Sequence, residues 1–102
     1  MNLVWTAPAI DDLRAIRAYI ARDAALYADQ FVERILTAVD GLQDFPARGR
    51  IVPEAAAPAI RELLYQNYRI IYSLEDRRIV VLAVIHGSRD LSRLHPRPWD
   101  VV

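Results

Sequence analysis

The sequence contains no cysteine and only three glycines, and both shortages narrow the range of functions. Without cysteine, disulfide bonds and thiolate metal sites are excluded, which is compatible with a reducing compartment. The two histidines have no neighbours at metal-ligand spacing, and the scattered glycines form no phosphate-binding loop. The sequence therefore predicts a protein that uses neither a metal nor another cofactor.

Lysine is absent as well. All thirteen basic residues are arginines, and thirteen acidic residues balance them to a formal net charge of zero. A neutral chain argues against a protein that coats nucleic acid through bulk electrostatic attraction. Arginine suits bidentate pairing with carboxylate or phosphate, but an excess that runs through the whole composition does not define a site.

Long apolar runs are also missing. The N-terminus lacks a charged segment followed by a long apolar stretch, so no signal peptide is predicted. The longest uninterrupted apolar run, residues 79–85, is too short to cross a bilayer. We therefore expect a cytoplasmic protein without a membrane partner.

The chain has the size and composition of one folded domain. Its 102 residues are 54% hydrophobic and 25% charged, a balance that argues against disorder. A chain of this length is close to the commonest domain size. We therefore predict that residues 1–102 form a single domain.

Two helices are predicted in the first half, after a short β-prone segment at Leu3–Trp5. The first helix runs from an N-cap at Thr6 to about Arg22, because its apolar residues recur at helical spacing. The second helix is predicted to be capped by Asp23 and to end at Phe45, which precedes a proline. The short link between the helices predicts an αα-hairpin.

The second half is predicted to form a sheet. Residues 46–59 hold three of the six prolines and are predicted to be a loop. Three strands follow, at Ile60–Tyr65, Tyr68–Leu74 and Ile79–His86, and short turns between them predict an antiparallel meander. The tail from Leu91 to Val102 is expected to be irregular. The predicted fold class is α+β: an N-terminal strand and an αα-hairpin packed on an antiparallel β-meander.

The strands carry the side chains with the most suggestive chemistry. Alternation places four residues of the middle strand on the face expected to contact the helices, namely Tyr68, Ile70, Tyr72 and Leu74. Arg69 then lies on the opposite, open face, where it either binds a ligand or forms an ion pair with Glu62 or Glu75. His86, at the end of the last strand, can serve as an acid or base or as a half-buried hydrogen-bonding residue.

Several short segments of the sequence, taken together and in their order along the chain, match the sequence pattern of a known protein family. They lie at residues 4–6, 9–13, 16–20, 31–35, 42–46, 49–50, 60–63, 67–72 and 84–91. The most specific are Ile60–Leu63, Asn67–Tyr72 and Val84–Leu91. With these segments the chain resembles the ParE/RelE superfamily of bacterial type II toxins over nearly its whole length, and the family fold is the one predicted above.

The resemblance implies a partner. It implies a toxin held inactive by a cognate antitoxin, of the ribbon-helix-helix type, within a hetero-oligomer. The antitoxin would cover apolar grooves with an extended or helical segment that becomes ordered on binding. Contact with DNA would occur only through the antitoxin, which agrees with the neutral charge of the chain.

The superfamily divides by target. RelE-like members cut messenger RNA in the ribosome with basic residues and often a C-terminal tyrosine, whereas ParE-like members inhibit DNA gyrase. Arg69 and His86 match positions of the ribonuclease group. However, the chain has no lysine and no tyrosine after Tyr72, and an enzyme that binds a polyanion tends to be basic.

We therefore expect a ParE-like gyrase inhibitor without catalytic residues. Two alternatives stay open: a ribosome-dependent endoribonuclease that uses Arg69 and His86, and a non-toxic member that only binds a partner. The residues expected to contact a partner are Arg61, Arg69, Tyr72, His86 and Arg89.

Overall fold

Two helices follow the first strand in the computed structural model, which describes residues 1–101. Strand β1 spans Asn2–Trp5, helix α1 spans Ala7–Ala21 and helix α2 spans Ala25–Asp40. The hydroxyl oxygen of Thr6 accepts a hydrogen bond from the backbone nitrogen of Ala9 at 3.2 Å, which confirms Thr6 as the N-cap of α1.

The boundaries of α2 differ from the prediction. Ala24 is its N-cap and provides no side-chain hydrogen bond, so the assignment of Asp23 as the cap is wrong. Asp23 still belongs to the turn that ends α1, because its backbone nitrogen donates to the carbonyl of Ile20 at 3.2 Å. The helix ends at Asp40, and a 3₁₀ turn at Gly41–Gln43 continues it before the chain reaches Phe45.

Four further strands complete the sheet. They are β2 at Arg50–Ile51, β3 at Ile60–Tyr65, β4 at Tyr68–Leu74 and β5 at Arg78–His86. Strands β3 and β4 have the predicted bounds, and β5 begins one residue early. Strand β2 lies inside the segment 46–59 that was predicted to be a loop. Its assignment depends on pairing with β3, where Arg50 lies opposite Glu62.

The sheet has the order β1-β5-β4-β3-β2 and is mixed. The pairs β2–β3, β3–β4 and β4–β5 are antiparallel, which confirms the predicted meander. Strand β1 instead runs parallel to β5, with Asn2 opposite Arg78 and Trp5 opposite Val81. The N-terminal strand thus makes β5 an interior strand, in agreement with its apolar residues on both faces.

Both faces of the sheet are covered. The helices pack on one face, against the four β4 residues predicted to contact them: Tyr68, Ile70, Tyr72 and Leu74. The other face was expected to be open, and this prediction is wrong. A second cluster covers it with residues from the sheet, the segment before β3 and the C-terminal tail, including Ile71, Leu82, Val52, Leu91 and Trp99.

The C-terminal tail is irregular apart from two 3₁₀ turns, at Leu91–Arg93 and Pro98–Val101. Leu91 is fully buried in the second cluster, so the tail is part of the folded unit. Val102, the last residue of the predicted tail, lies outside the described residues.

Candidate functional site

Arg69 lies in β4 on the face away from the helices, and two carboxylates hold its guanidinium. Its Nε donates a hydrogen bond to Glu62 Oε1, while its two terminal nitrogens donate to Glu54 Oε2 and Oε1, each at 2.9 Å. The side chain is 10% exposed. The sequence predicted the Glu62 alternative correctly, but it did not predict Glu54, and it was wrong to place Arg69 on an open face.

Glu62 has no exposed side-chain surface and binds a second arginine. Arg50 Nε, in β2, donates to Glu62 Oε2 at 2.6 Å. The four side chains Arg50, Arg69, Glu54 and Glu62 therefore carry a formal charge of zero. A buried carboxylate needs this compensation, because an unpaired charge in the interior is strongly destabilising.

The ion pair between Glu54 and Arg69 shifts the pKa values of both groups. The hydrogen bonds from Arg69 hold the pKa of Glu54 below its usual value, against the opposing effect of burial. The hydrogen bonds to Glu54, and then to Glu62, raise the pKa of Arg69 above its usual value. Both groups are charged at neutral pH, and each satisfies the charge of the other.

An open cleft of about 430 Å³ borders this cluster at one end of the sheet. Its walls include Arg50, Pro53, Glu54, Leu64, Tyr68, Arg69, His86, Gly87 and Ser88. The cleft brings together Arg69 and His86, two of the residues that the sequence singled out.

Register, however, directs these two side chains to opposite faces. Arg69 lies opposite Ile85 in the β4–β5 pair, and His86 lies opposite Tyr68. Because successive strand residues alternate between faces, Arg69 and His86 point away from each other. The ring of His86 accordingly packs edge-on against Tyr68, with the centroids 5.2 Å apart.

His86 is bonded within its own turn. Its Nδ1 accepts a hydrogen bond from the backbone nitrogen of Ser88 at 3.1 Å and lies 2.7 Å from the Ser88 hydroxyl oxygen. In the neutral ring this contact assigns the proton to Nε2. Burial raises the pKa of the neighbouring Tyr68 hydroxyl, so that group keeps its proton at neutral pH.

The remaining predicted contact residues have different environments. Tyr72 is fully buried, so its prediction as a partner contact is wrong: its ring faces the helices and its hydroxyl donates to the carbonyl of Pro46 at 2.8 Å. Arg61 is half-buried and donates to the carbonyl of Gly49 at 2.9 Å. Arg89 is exposed at the exit from β5.

Sequence reasoning missed an apolar groove on the helical hairpin. The groove, of about 320 Å³, lies between α1 and α2 and is lined by Trp5, Ile10, Leu13, Val32 and Leu36, with Arg14 and Arg17 at its rim. Ile10 and Leu36 are 37% and 40% exposed. The signal was present in the sequence, since Val32 and Leu36 widen the apolar face of α2 beyond what the core requires.

Other kinds of site are not found in residues 1–101. No group of His, Cys, Asp and Glu side chains in this range could hold a metal ion. No helix within it is long and apolar enough to cross a membrane.

Comparison with known proteins identifies the family. Residues 3–91 match the family described as ParE toxin of type II toxin-antitoxin system, parDE. The chain belongs to this family. Toxin RelE2 of Caulobacter vibrioides is 36% identical to the chain over 89 residues, which are 86% of this chain and 97% of that toxin.

Solved structures support the same assignment. The chromosomal ParDE toxin-antitoxin system from P. aeruginosa contains a chain with 25% identity and a TM-score of 0.72, over 84% of this chain and 95% of that one. The toxin-antitoxin complex RelBE2 from Mycobacterium tuberculosis matches in fold, with a TM-score of 0.61 at 21% identity over 83% of this chain and 95% of that one. The chain is thus a toxin of the ParE/RelE family, with two helices on a five-stranded mixed sheet.

Proposed function

We propose that the toxin inhibits DNA gyrase by binding to it, as a ParE-like member without chemistry of its own. The relation between Arg69 and His86 carries this proposal. A nuclease would need both groups at one phosphate, but these side chains point to opposite faces and Arg69 is already neutralised by two carboxylates. The Ser88 hydroxyl lies 2.7 Å from His86 Nδ1, but both side chains are exposed at the end of β5, and the guanidinium of Arg69 lies on the other face of the sheet.

Composition supports the same proposal. The chain has no lysine, no tyrosine after Tyr72 and zero net charge. A ribonuclease that acts on a polyanion obtains much of its affinity from unpaired cations, because each phosphate contact releases counterions. A protein that binds another protein does not need such an excess of positive charge.

We propose that the cognate antitoxin, of ribbon-helix-helix type, neutralises the toxin by placing an amphipathic acidic segment in the groove of the helical hairpin. The groove is apolar along its floor and has arginines at its rim. Arg17 is paired with Asp29 of α2 at 2.7 Å, whereas Arg14 has no acidic partner within 4.0 Å in the part of the chain described. Acidic residues on the antitoxin segment would complement Arg14.

A supercoiling assay tests the choice of target. Purified toxin should block supercoiling of relaxed plasmid by gyrase, and stoichiometric antitoxin should restore it. Message added to translating ribosomes should stay intact in the presence of the same toxin. Undisturbed supercoiling at saturating toxin would contradict the proposal.

The second candidate is a ribosome-dependent endoribonuclease. Its support is the shared cleft, which Arg69 and His86 both border, together with the relative named RelE2. Primer extension on translated message should then show cuts that Arg69→Ala abolishes. Uncut message would eliminate this candidate. If induction without antitoxin leaves growth unaffected as well, the chain is a non-toxic member that only binds a partner.

A further inference from the structure

Glu54 meets Arg69 in the way that a bound oxyanion would. Its two carboxylate oxygens accept one hydrogen bond each from the two terminal nitrogens of Arg69, both at 2.9 Å. This bidentate fork is the geometry by which arginine recognises carboxylate and phosphate groups in general. The position of a ligand anion is therefore filled by a side chain of the same protein.

The two carboxylates that bind Arg69 differ in how firmly they are held. Glu62 belongs to β3, has a fully buried side chain and also accepts a hydrogen bond from Arg50. Glu54 lies in the segment between β2 and β3, and its side chain is 29% exposed. Its side-chain hydrogen bonds go to Arg69. Glu54 is thus the carboxylate that can leave without removing the charge partner of Arg50.

Charge and space at this position both favour an external anion once Glu54 is gone. Arg50, Arg69 and Glu62 would keep a formal charge of +1. The guanidinium would then face the open cleft of about 430 Å³, in which Arg69 and Arg50 form part of the wall. A phosphate-sized anion would find a preformed fork there, because Glu62 continues to fix the Nε of Arg69.

We propose that the cleft is a masked oxyanion-binding site, in which Glu54 occupies the place of the anion and must move away before phosphate can bind Arg69. Gyrase inhibition does not require such a site, so the proposal goes beyond the proposed function. In the resting chain the site is closed to anions. A contact that draws the segment around Glu54 off the sheet would open it.

The test uses inorganic phosphate as the probe and the Nε–H signal of Arg69 in nitrogen-15 NMR spectra as the readout. Phosphate is titrated at pH 7 and constant ionic strength, because added salt alone would screen the charges. Glu54→Gln should bind phosphate at least about tenfold more tightly than the wild-type chain, since one charge-assisted pair becomes available to the ligand. The Arg69 signal should shift saturably in this variant.

Glu75→Gln is the matched control. It also removes one carboxylate from an arginine pair, since Glu75 binds Arg78 at 2.6 Å on the turn between β4 and β5, outside the cleft. The net charge changes equally in both variants, but Glu75→Gln should bind phosphate as the wild type does. The double variant Glu54→Gln/Arg69→Ala should also return to wild-type binding.

Equal phosphate affinity in Glu54→Gln and Glu75→Gln would overturn the proposal, and so would an Arg69 signal that does not move. Glu54→Ala supplies a second open variant if the glutamine variant folds poorly, and the same spectra report its fold. Because no gyrase, ribosome or antitoxin is present, the result is independent of the proposed function. The toxin can fail to inhibit gyrase while Glu54 still masks the oxyanion site. Equally, it can inhibit gyrase although Glu54 masks no such site.

Discussion

The backbone nitrogen of Gly49 donates a hydrogen bond to the buried hydroxyl of Tyr72 at 3.0 Å. The same hydroxyl donates to the carbonyl of Pro46 at 2.8 Å. One phenol group in the middle of β4 thus fixes both ends of the short segment that leads into β2. Since β2 supplies Arg50, the Tyr72 contact also positions the outer arginine of the charge cluster.

Tyr72→Phe should lower the free energy of unfolding by about 1–3 kcal/mol, because the Gly49 nitrogen loses its buried partner. Urea unfolding measures the difference. Tyr65→Phe is the matched control, since the Tyr65 hydroxyl accepts a long, exposed hydrogen bond from Gln66 at 3.5 Å. It should stay within about 0.5 kcal/mol of the wild type. Equal losses in the two variants would show that the Tyr72 bridge contributes nothing specific.

Gly49→Ala should be destabilising because there is no room for a methyl group. A Cβ at this position would lie 2.6 Å from the Tyr72 hydroxyl and 2.7 Å from the carbonyl oxygen of Glu62. The expected loss is about 1–3 kcal/mol, the usual cost of overpacking. Gly41→Ala serves for comparison, because its Cβ would make an ordinary van der Waals contact of 3.5 Å with the side chain of Arg48. A thermal melt of Gly49→Ala that matches that of Gly41→Ala would refute this account.

Leu91→Ala tests whether the C-terminal tail is part of the fold. Leu91 is fully buried in the cluster on the sheet face away from the helices. Truncation should cost about 2–5 kcal/mol in chemical unfolding, as for other buried leucines. Leu64→Ala removes the same atoms from a side chain that is 56% exposed and should cost much less. A small effect at both positions would mean that the tail detaches without unfolding the sheet.

The Glu54–Arg69 pair predicts a pH dependence of stability. The pKa of Glu54 is lowered in the folded chain, so its contribution is present above the pKa of the unfolded state and is lost as pH falls through the folded value. The free energy of unfolding should therefore decrease more steeply in the wild type than in Glu54→Gln below about pH 5. Burial raises the pKa of Asp12, which acts in the opposite direction, but equally in both proteins. Parallel pH profiles would contradict the prediction.

Leu36→Asp should weaken binding of the antitoxin by about tenfold or more, because it places a charge on the floor of the apolar groove. Leu26→Asp is the control: Leu26 is 74% exposed near the tip of the hairpin and does not line the groove. Calorimetric titration of antitoxin into each purified variant gives the two affinities. Similar affinities for both would place the antitoxin elsewhere on the toxin.

The sequence pattern predicted those strands whose bounds depend on neighbouring residues in the chain. The bounds of β3 and β4 followed from alternation and from the two-residue turn at Gln66–Asn67 between them. Strand β2 could not be found in this way, because its two residues become a strand only by pairing with β3. The prolines in the surrounding segment indicated a loop instead of a strand.

The site was predicted in part. Alternation along neighbouring strands places Glu62 and Arg69 on the same face of the sheet, so their ion pair could be predicted. The structure confirms this ion pair. The contact between Glu54 and Arg69 could not be predicted, because Glu54 lies in an irregular segment and no sequence pattern indicates the course of such a segment. Tyr72 was placed correctly on the helix face, and the same placement excludes it from a partner surface.

The parallel pairing of β1 with β5 sets an order of events during synthesis. Residues 2–5 leave the ribosome well before their strand partners, which are residues 78–81. Contacts so distant in sequence form late and slow the folding of a domain. The sheet therefore cannot close until most of the chain has been translated, and a prematurely terminated product lacks the strand that β1 requires.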